Sequence, residues 1–502
     1  MTNHFKKKAI IGTIWSQFGK FAEIIALFML SIVLARGFGP EVYGIYASIL
    51  AFFNLLAMFA SFGLEQMLAN FVPKNMEKKG QKKISAIVKK ALLTRLSIHG
   101  GLLIIVLILS HHIGNLYFGH SKFSSYFFVA ALYFFSKDIS KLISFYYIGK
   151  LKTKFVTFVE TSALLTSFFI SIIIFKLRLG IFAIFLSFGV IYSISFLVYL
   201  WGAKEILFKT GNISFDKEIW TFSRTVWINS AMAYVLGKQS DILMLRWFSV
   251  RNISIGFYNL SFSLVSLAGS VLMAGLSIVT LPIVSGAYSR GGEQKLRSSW
   301  RLLIAFSNMV SIPILAFLAF NSKPIVILLY SEKYAETSVY ITIFAAFTSI
   351  GRLLGGGINT GVLYAIKKEK YIMYVTFLTG SLNVLFNLLL IPYFEAIGAL
   401  IGTGFSSLIS IIILFMIVTK RIKAKYPLKM NSKIVLAAIT SIGATTFALN
   451  YLCIDIIICG FIYGTLYVGA LFLLKPFSRV DLNEFDTAPI IYRFVSYFSQ
   501  QA

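Results

Sequence analysis

The chain alternates long apolar segments with short basic ones, and fourteen of the apolar segments fit within its 502 residues. A helix needs about 20 mostly apolar residues to cross the hydrocarbon core of a bilayer. Only 13% of the residues are charged, against about 25% in a soluble globular protein. These features predict an all-α polytopic membrane protein with about 14 transmembrane helices. The predicted spans lie at roughly 10–34, 43–72, 86–110, 123–148, 155–175, 181–201, 226–247, 255–284, 301–320, 336–363, 371–391, 397–419, 434–452 and 456–474.

Lysine and arginine are distributed unequally between alternate connections. One set of connections, together with both termini, carries 33 basic residues, and the other set carries 8. Because basic residues favour the cytoplasmic side of a membrane, we expect a multi-pass protein of the cell (inner or plasma) membrane with cytoplasmic N- and C-termini. The net charge of +28 therefore reflects topology, and no nucleic acid is expected as a partner.

Two segments share one pattern, which predicts an internal repeat. A Gly-x-Tyr sequence at Gly44 and another at Gly256 each open a long span that ends near a proline, Pro73 or Pro282. Six spans separate them, so the repeats keep the same orientation, as in transporters with two parallel lobes. The predicted divisions are an N-terminal lobe at 1–215 (helices 1–6), a C-terminal lobe at 216–425 (helices 7–12), helices 13–14 at 426–475 and a cytoplasmic tail at 476–502.

Cationic side chains inside the predicted spans are the strongest functional signal. Placing one such side chain at the centre of a membrane helix costs about 2.5–3.5 kcal/mol on insertion scales. An anionic ligand in a water-filled cavity between helices would offset that cost. Lys137 and Lys141 share one helical face because they are four residues apart. Arg95 has a second interpretation, because it lies near a cytoplasmic end and a long side chain there can extend to the interface. The predicted substrate-binding residues are Lys20, Lys137, Lys141, Lys238, Arg352 and Arg95.

Acidic residues accompany several of these cations. The candidates for binding a coupling ion, either H⁺ or Na⁺, are Glu23, Asp138 and Asp241. The alternative is that each acid neutralises a lysine on its own helix, Asp138 acting on Lys141. Glu65 and Glu160 lie nearer the cytoplasmic ends of their spans, and we expect structural or interfacial roles for them.

No cofactor or metal is predicted. The chain has no Gly-x-x-x-x-Gly-Lys-Ser/Thr loop for nucleotide phosphates. His111, His112 and His120 share one connection, which is a poor arrangement for a metal site.

Four segments, two near the N-terminus and two in the middle of the chain, also resemble a known family. Residues Ile10 to Lys20 and the sequence from Leu34 to Tyr46 resemble the start of Wzx-type polysaccharide flippases. The segment from Ser240 to Leu245 and the one from Gly256 to Asn259 resemble the second half of that family. It forms part of the multidrug/oligosaccharidyl-lipid/polysaccharide exporter superfamily.

The resemblance implies two six-helix lobes forming a V around a central cavity, with two extra C-terminal helices. It implies movement of an undecaprenyl-diphosphate-linked oligosaccharide from the cytoplasmic to the outer leaflet by alternating access. Membrane lipid, a polysaccharide polymerase and other assembly proteins are the implied partners. The protein would then be a transporter in polysaccharide biosynthesis (O-antigen is one product of this kind) and not an enzyme.

Two other functions stay open at this point. A multidrug-type, cation-coupled exporter of the same superfamily would place acids at the centre of its lobes. A membrane glycosyltransferase or polymerase acting on lipid-linked sugars would need a sizeable external loop, and the connections here are short.

Overall fold

A computed structural model describes residues 3–76, 80–118, 124–207, 216–271, 273–452, 455–477 and 496–499. By its contacts the chain divides into two units, Met1–Gly256 and Phe257–Ala502. The helices that begin in the first unit are α1 Asn3–Ser61, α2 Leu64–Met76, α3 Gln81–Ile108, α4 Ser110–Phe118, α5 Ser124–Gly149, α6 Thr153–Lys176, α7 Gly180–Leu207, α8 Lys217–Val235, α9 Lys238–Trp247 and α10 Asn252–Val271.

The second unit continues with a 3₁₀ turn at Glu332–Tyr334 and seven further helices within the described ranges. These helices are α11 Met273–Phe320, α12 Ser322–Tyr330, α13 Thr337–Leu353, α14 Gly356–Ala365, α15 Glu369–Ile422, α16 Leu428–Leu452 and α17 Ile456–Leu474. The prediction of an all-α polytopic membrane protein is confirmed. The predicted lobe boundaries stay predictions; in the division by contacts, α8 and α9 belong to the first unit.

Within the described ranges, eight helical stretches are long and apolar enough to cross a membrane. Three of them exceed one crossing: Phe21–Ser61 and Thr280–Phe320 have 41 residues each, and Glu369–Ile422 has 54. Each of the three contains a kink with non-helical backbone angles, at Gly39, at Gly291–Gly292 and at Glu395 respectively. The kinks fall at the connections expected between spans 1 and 2, 8 and 9, and 11 and 12.

Three predicted spans are each divided into two helices. The second span is interrupted between α1 and α2 at Phe62 and Gly63, both of which have positive φ. The seventh is interrupted between α8 and α9, and the tenth between α13 and α14, where Gly355 has a φ of +82°. The apolar pattern continues across all three breaks, so hydropathy alone predicts one helix where the structure has two.

The glycines of the sequence repeat lie against each other in the first unit. A Cβ added to Gly44 would come 1.8 Å from the Asn252 carbonyl oxygen and 3.0 Å from the Gly256 nitrogen. A Cβ added to Gly256 would come 2.3 Å from the Pro40 carbonyl oxygen. Backbone therefore packs directly on backbone here, which only glycine allows.

The core of the second unit is an apolar cluster that extends from α11 to the C-terminal residues. Trp300 is fully buried and donates from Nε1 to Asn359 Oδ1 at 2.9 Å. Phe477 and Phe498 belong to the same cluster. Tyr426, in the connection before α16, donates to the Leu353 carbonyl at 2.7 Å, which satisfies an acceptor at the break after α13. Burial raises the pKa of Tyr426 to about 12, so it remains a donor at neutral pH.

Candidate functional site

The first unit contains a cavity of about 420 Å³, within the size range of sites for small ligands. Its walls are formed by α1, α5, α6 and one residue of α7. The lining side chains repeat at helical spacing, so each helix presents one face to the cavity. The lining residues are Gly19, Glu23, Leu27, Lys137, Ser140, Lys141, Phe145, Ile148, Thr153, Val156, Thr157, Glu160, Thr161, Leu164 and Tyr192.

The close packing of α1 on α6 closes one side of this cavity. Gly19 allows it, because a Cβ at that position would lie 2.6 Å from Thr157 Oγ1. On α6, residues Thr153, Thr157, Glu160 and Thr161 place polar groups on one face of an otherwise apolar span. Such a face would be unfavourable against lipid, so it lines a space that polar ligands or water can occupy.

Two of the predicted cations, Lys137 and Lys141, come together in this cavity. Lys137 Nζ donates to the Tyr133 hydroxyl at 2.9 Å and lies 5.1 Å from the centre of that ring. It also lies 5.6 Å from the centre of the Tyr192 ring. Aromatic faces attract an ammonium group without neutralising it. Within the described ranges, neither lysine has a carboxylate oxygen within 4.0 Å, although Lys141 interacts electrostatically at longer range with Asp138 and Glu160.

Two carboxylates share the cavity with the lysines. Glu23, a predicted ion-coupling residue, is exposed on α1, and Glu160 is half-buried on α6. Glu160 interacts electrostatically with Glu23 and Lys141. The sequence suggested a structural or interfacial role for Glu160; the structure places the residue in the cavity lining. Thr153 and Thr157, seven and three residues before it on α6, were the available signal.

Arg95 lies in a different environment, a buried ionic cluster of α2, α3 and α5. Its guanidinium is fully buried and donates to the carboxylates of Glu65 and Asp138, the latter from Nη1 at 2.9 Å. His99, also fully buried, lies with Nδ1 2.6 Å from Asp138 Oδ2. Because an ionised carboxylate can only accept, His99 donates here. Glu65 occupies the first turn of α2, where the helix dipole favours a negative charge.

These contacts correct two of the alternatives drawn from the sequence. Arg95 does not extend to the membrane interface, because its side chain is 0% exposed. Asp138 makes its ion pair with Arg95 and its hydrogen bond with His99, both on another helix, and its electrostatic interaction with Lys141 is a smaller one. Neither Arg95 nor Asp138 lines the cavity; the cluster joins α2 and α3 to α5, the helix that carries Lys137 and Lys141.

The remaining predicted residues lie elsewhere. Lys238 begins α9, and Asp241 is completely buried in the first turn of that helix. Arg352 lies in the second unit at the end of α13, and its Nη2 donates to the Gly269 carbonyl at 3.2 Å. Lys20 lies within α1, but its side chain is outside the described residues. Of the described residues among these, Lys238, Asp241 and Arg352 do not line the cavity of the first unit.

Comparisons with known proteins agree on the class of protein. A family model described as polysaccharide biosynthesis protein matches residues 33–339, and one described as lipid II flippase MurJ matches residues 233–472. An uncharacterized membrane protein of Methanocaldococcus jannaschii is 22% identical over 509 residues, covering 96% of this chain and 98% of its own.

Two solved structures share the fold. The inward closed conformation of the lipid II flippase MurJ superposes with a TM-score of 0.76 at 16% identity, covering 93% of this chain and 99% of that one. An inward-facing transporter of the multidrug resistance MATE family superposes with a TM-score of 0.65 at 15% identity, covering 79% of this chain and 94% of that one.

Proposed function

We propose that this chain, which belongs to the polysaccharide biosynthesis protein family, moves a polyprenyl-diphosphate-linked oligosaccharide from the cytoplasmic to the outer leaflet by alternating access. Family membership confirms the resemblance inferred from the sequence, and transporters and flippases of this kind are not enzymes. The undecaprenyl carrier, the polymerase and other assembly proteins as partners, and the inner or plasma membrane with cytoplasmic termini belong to the proposal.

One observation carries the proposal: the cavity between the helices of the first unit is lined by both Lys137 and Lys141. A diphosphate diester carries two negative charges, and charge-assisted hydrogen bonds to lysine suit it without demanding the planar geometry that arginine requires. A cavity of about 420 Å³ accommodates a diphosphate and its first sugar. The rest of the glycan and the polyprenyl tail would extend out of it.

The aromatic and hydroxyl groups of the lining suit the first sugar. Tyr192 offers a ring face, and Ser140, Thr157 and Thr161 offer hydroxyls that both donate and accept. Modest affinity is an advantage for a carrier, because the ligand must leave on the other side. Side chains that bind weakly and in several orientations meet that requirement.

Replacing either cavity lysine with methionine is expected to slow transport about tenfold or more, because a hydrogen bond to a charged group contributes roughly 1.5–3 kcal/mol. Methionine keeps the length and apolar part of the side chain while removing the charge. The measurement is leaflet exchange of a lipid-linked oligosaccharide in proteoliposomes. Lys204→Met, at an exposed lysine of α7 that stacks on Trp201 outside the cavity, is the matched control and should transport normally.

Wild-type transport by folded Lys137→Met and Lys141→Met proteins would remove the cavity from the proposal. Arg352→Ala, in the second unit, tests the remaining predicted cation in the same assay. A loss there together with normal transport by both lysine variants would move the site to the second unit.

A cation exporter is the second candidate, and the two cavity carboxylates favour it. Glu23 and Glu160 would attract a lipophilic cation as the lysines attract a phosphate. Uptake of tetraphenylphosphonium by the same proteoliposomes distinguishes the two. Cation transport that is lost in Glu160→Gln and kept in Lys141→Met would favour the exporter.

A further inference from the structure

The described charges around the cavity balance when the cavity is empty. Lys137 and Lys141 contribute two positive charges, and Glu23 and Glu160 contribute two negative ones when all four are ionised. A bound diphosphate diester adds two negative charges. The occupied cavity would then carry excess negative charge in a space where water screens poorly. Protonation of a carboxylate lowers that excess.

Glu160 is the carboxylate best placed to respond. It is half-buried, whereas Glu23 is exposed. The ionisable groups facing it are Glu23 from α1, Lys141 from α5, and Tyr192 and Tyr199 from α7. Lys137 lies across the same cavity. Lys141 is therefore the positive charge that acts on Glu160 directly, and it is also a charge that the ligand would engage.

Two effects of the ligand act on Glu160 in the same direction. Phosphate oxygens that bind Lys141 reduce the attraction between that ammonium and the Glu160 carboxylate. The phosphate charge also lies near the carboxylate, and like charges disfavour the ionised form. Both effects favour uptake of a proton from the medium by Glu160, which becomes a neutral carboxylic acid and can donate to a phosphate or sugar oxygen.

We propose that the cavity binds its diphosphate ligand together with a proton, and that Glu160 is the residue that takes up this proton. The inference rests on the proposed function, since it requires that the cavity bind a diphosphate. It assigns H⁺, and not Na⁺, as the ion linked to substrate binding in this unit. By linkage, uptake of one proton makes affinity fall about tenfold for each pH unit of increase across the range in which Glu160 titrates.

The test uses the full chain in lipid nanodiscs and geranyl diphosphoglucose as the probe. This diester carries both phosphate charges at all pH values near neutral, so it does not itself take up protons. Titration calorimetry in two buffers of different ionisation enthalpy gives the number of protons bound per probe. We expect the number to approach one for the wild type at mildly alkaline pH, where the carboxylate of the empty cavity is ionised. Glu160→Gln should take up almost none, and its affinity should be nearly independent of pH.

A matched control separates the effect of Glu160 from that of charge in general. Glu205→Gln removes an exposed carboxylate of α7 that does not line the cavity, and its proton uptake should equal that of the wild type. Proton uptake that persists in Glu160→Gln and disappears in Glu23→Gln would overturn the assignment to Glu160. No proton uptake by the wild type would overturn proton linkage altogether.

Failure of the inference and failure of the proposed function give different results. If the probe binds the wild type and Lys141→Met equally well, the cavity is not the diphosphate site and the proposed function fails. If Lys141→Met loses binding while the wild-type enthalpy is the same in both buffers, the diphosphate site stands and only the proton linkage is wrong.

Discussion

Replacing Arg95 with methionine is expected to lower the free energy of unfolding by about 3–5 kcal/mol, because removal of one member of a buried ion pair leaves the other charge uncompensated. Two carboxylates lose their partner in this case, those of Glu65 and Asp138. His99 remains beside Asp138 and offsets part of the loss only when it is protonated. Unfolding in mixed micelles, followed by tryptophan fluorescence, measures the change.

Two further variants make this prediction specific. Lys83→Met breaks an ion pair with Asp216 in which both side chains are about half exposed, and a change of at most about 1 kcal/mol is expected. The triple variant Glu65→Gln/Arg95→Met/Asp138→Asn removes all three charges together and should recover much of the lost stability. An Arg95→Met protein as stable as the wild type would show that the guanidinium is not required to bury the two carboxylates.

Replacing Gly44 with alanine is expected to destabilise the first unit by roughly 1–3 kcal/mol or more, as overpacking does. The new methyl group would lie 1.8 Å from the Asn252 carbonyl oxygen. A side chain could relieve such a contact by changing its rotamer, but a backbone atom cannot. The segment at Pro40–Gly44 and the start of α10 must therefore separate. The apparent melting temperature of the detergent-solubilised protein reports the loss, and Gly256→Ala should reproduce it.

Gly101→Ala is the matched control for this second prediction. Gly101 lies within α3, and a Cβ there would meet no atom within 4 Å. Since alanine favours a helix over glycine by up to about 1 kcal/mol, this variant should be as stable as the wild type or slightly more so. Equal stability of Gly44→Ala and Gly101→Ala would mean that the close backbone contact is not maintained in the protein.

Periodicity and length were sufficient to predict most of the helical segments. A crossing helix must satisfy its backbone internally and present apolar side chains to lipid, so each span is visible in the sequence by itself. The breaks at Gly63, Gly237 and Gly355 were not visible in this way. Glycine is common in membrane helices, and only the packing against neighbouring helices determines which glycines interrupt one.

The residues of the site that could be predicted from the sequence are those with a charged side chain inside a predicted span, because such side chains are rare there. Lys137 and Lys141 stood out because two cations share one helical face of an apolar span, with only Asp138 between them to offset the charge. Arg95 stood out for the same reason, but its acidic partners are 30 and 43 residues away in the chain, and separations of that kind carry no local pattern. Glu160 was given a structural or interfacial role because it lies near the predicted cytoplasmic end of its span. The other charged residues in the cavity lining come from α1 and α5, and contacts between helices leave no pattern in the sequence of α6.

The buried cluster around Arg95 also has a consequence for the insertion of the protein into the membrane during synthesis. Glu65, Arg95 and Asp138 belong to three successive spans, which enter the membrane during synthesis in that order. Each charge must therefore be tolerated by the insertion machinery before all of its partners have been translated. Arg95 meets Glu65 as soon as the second and third spans form a hairpin, while Asp138 arrives later. Ribosome stalling after the third span should therefore leave a hairpin that already resists extraction from the membrane, and Glu65→Gln should weaken that resistance.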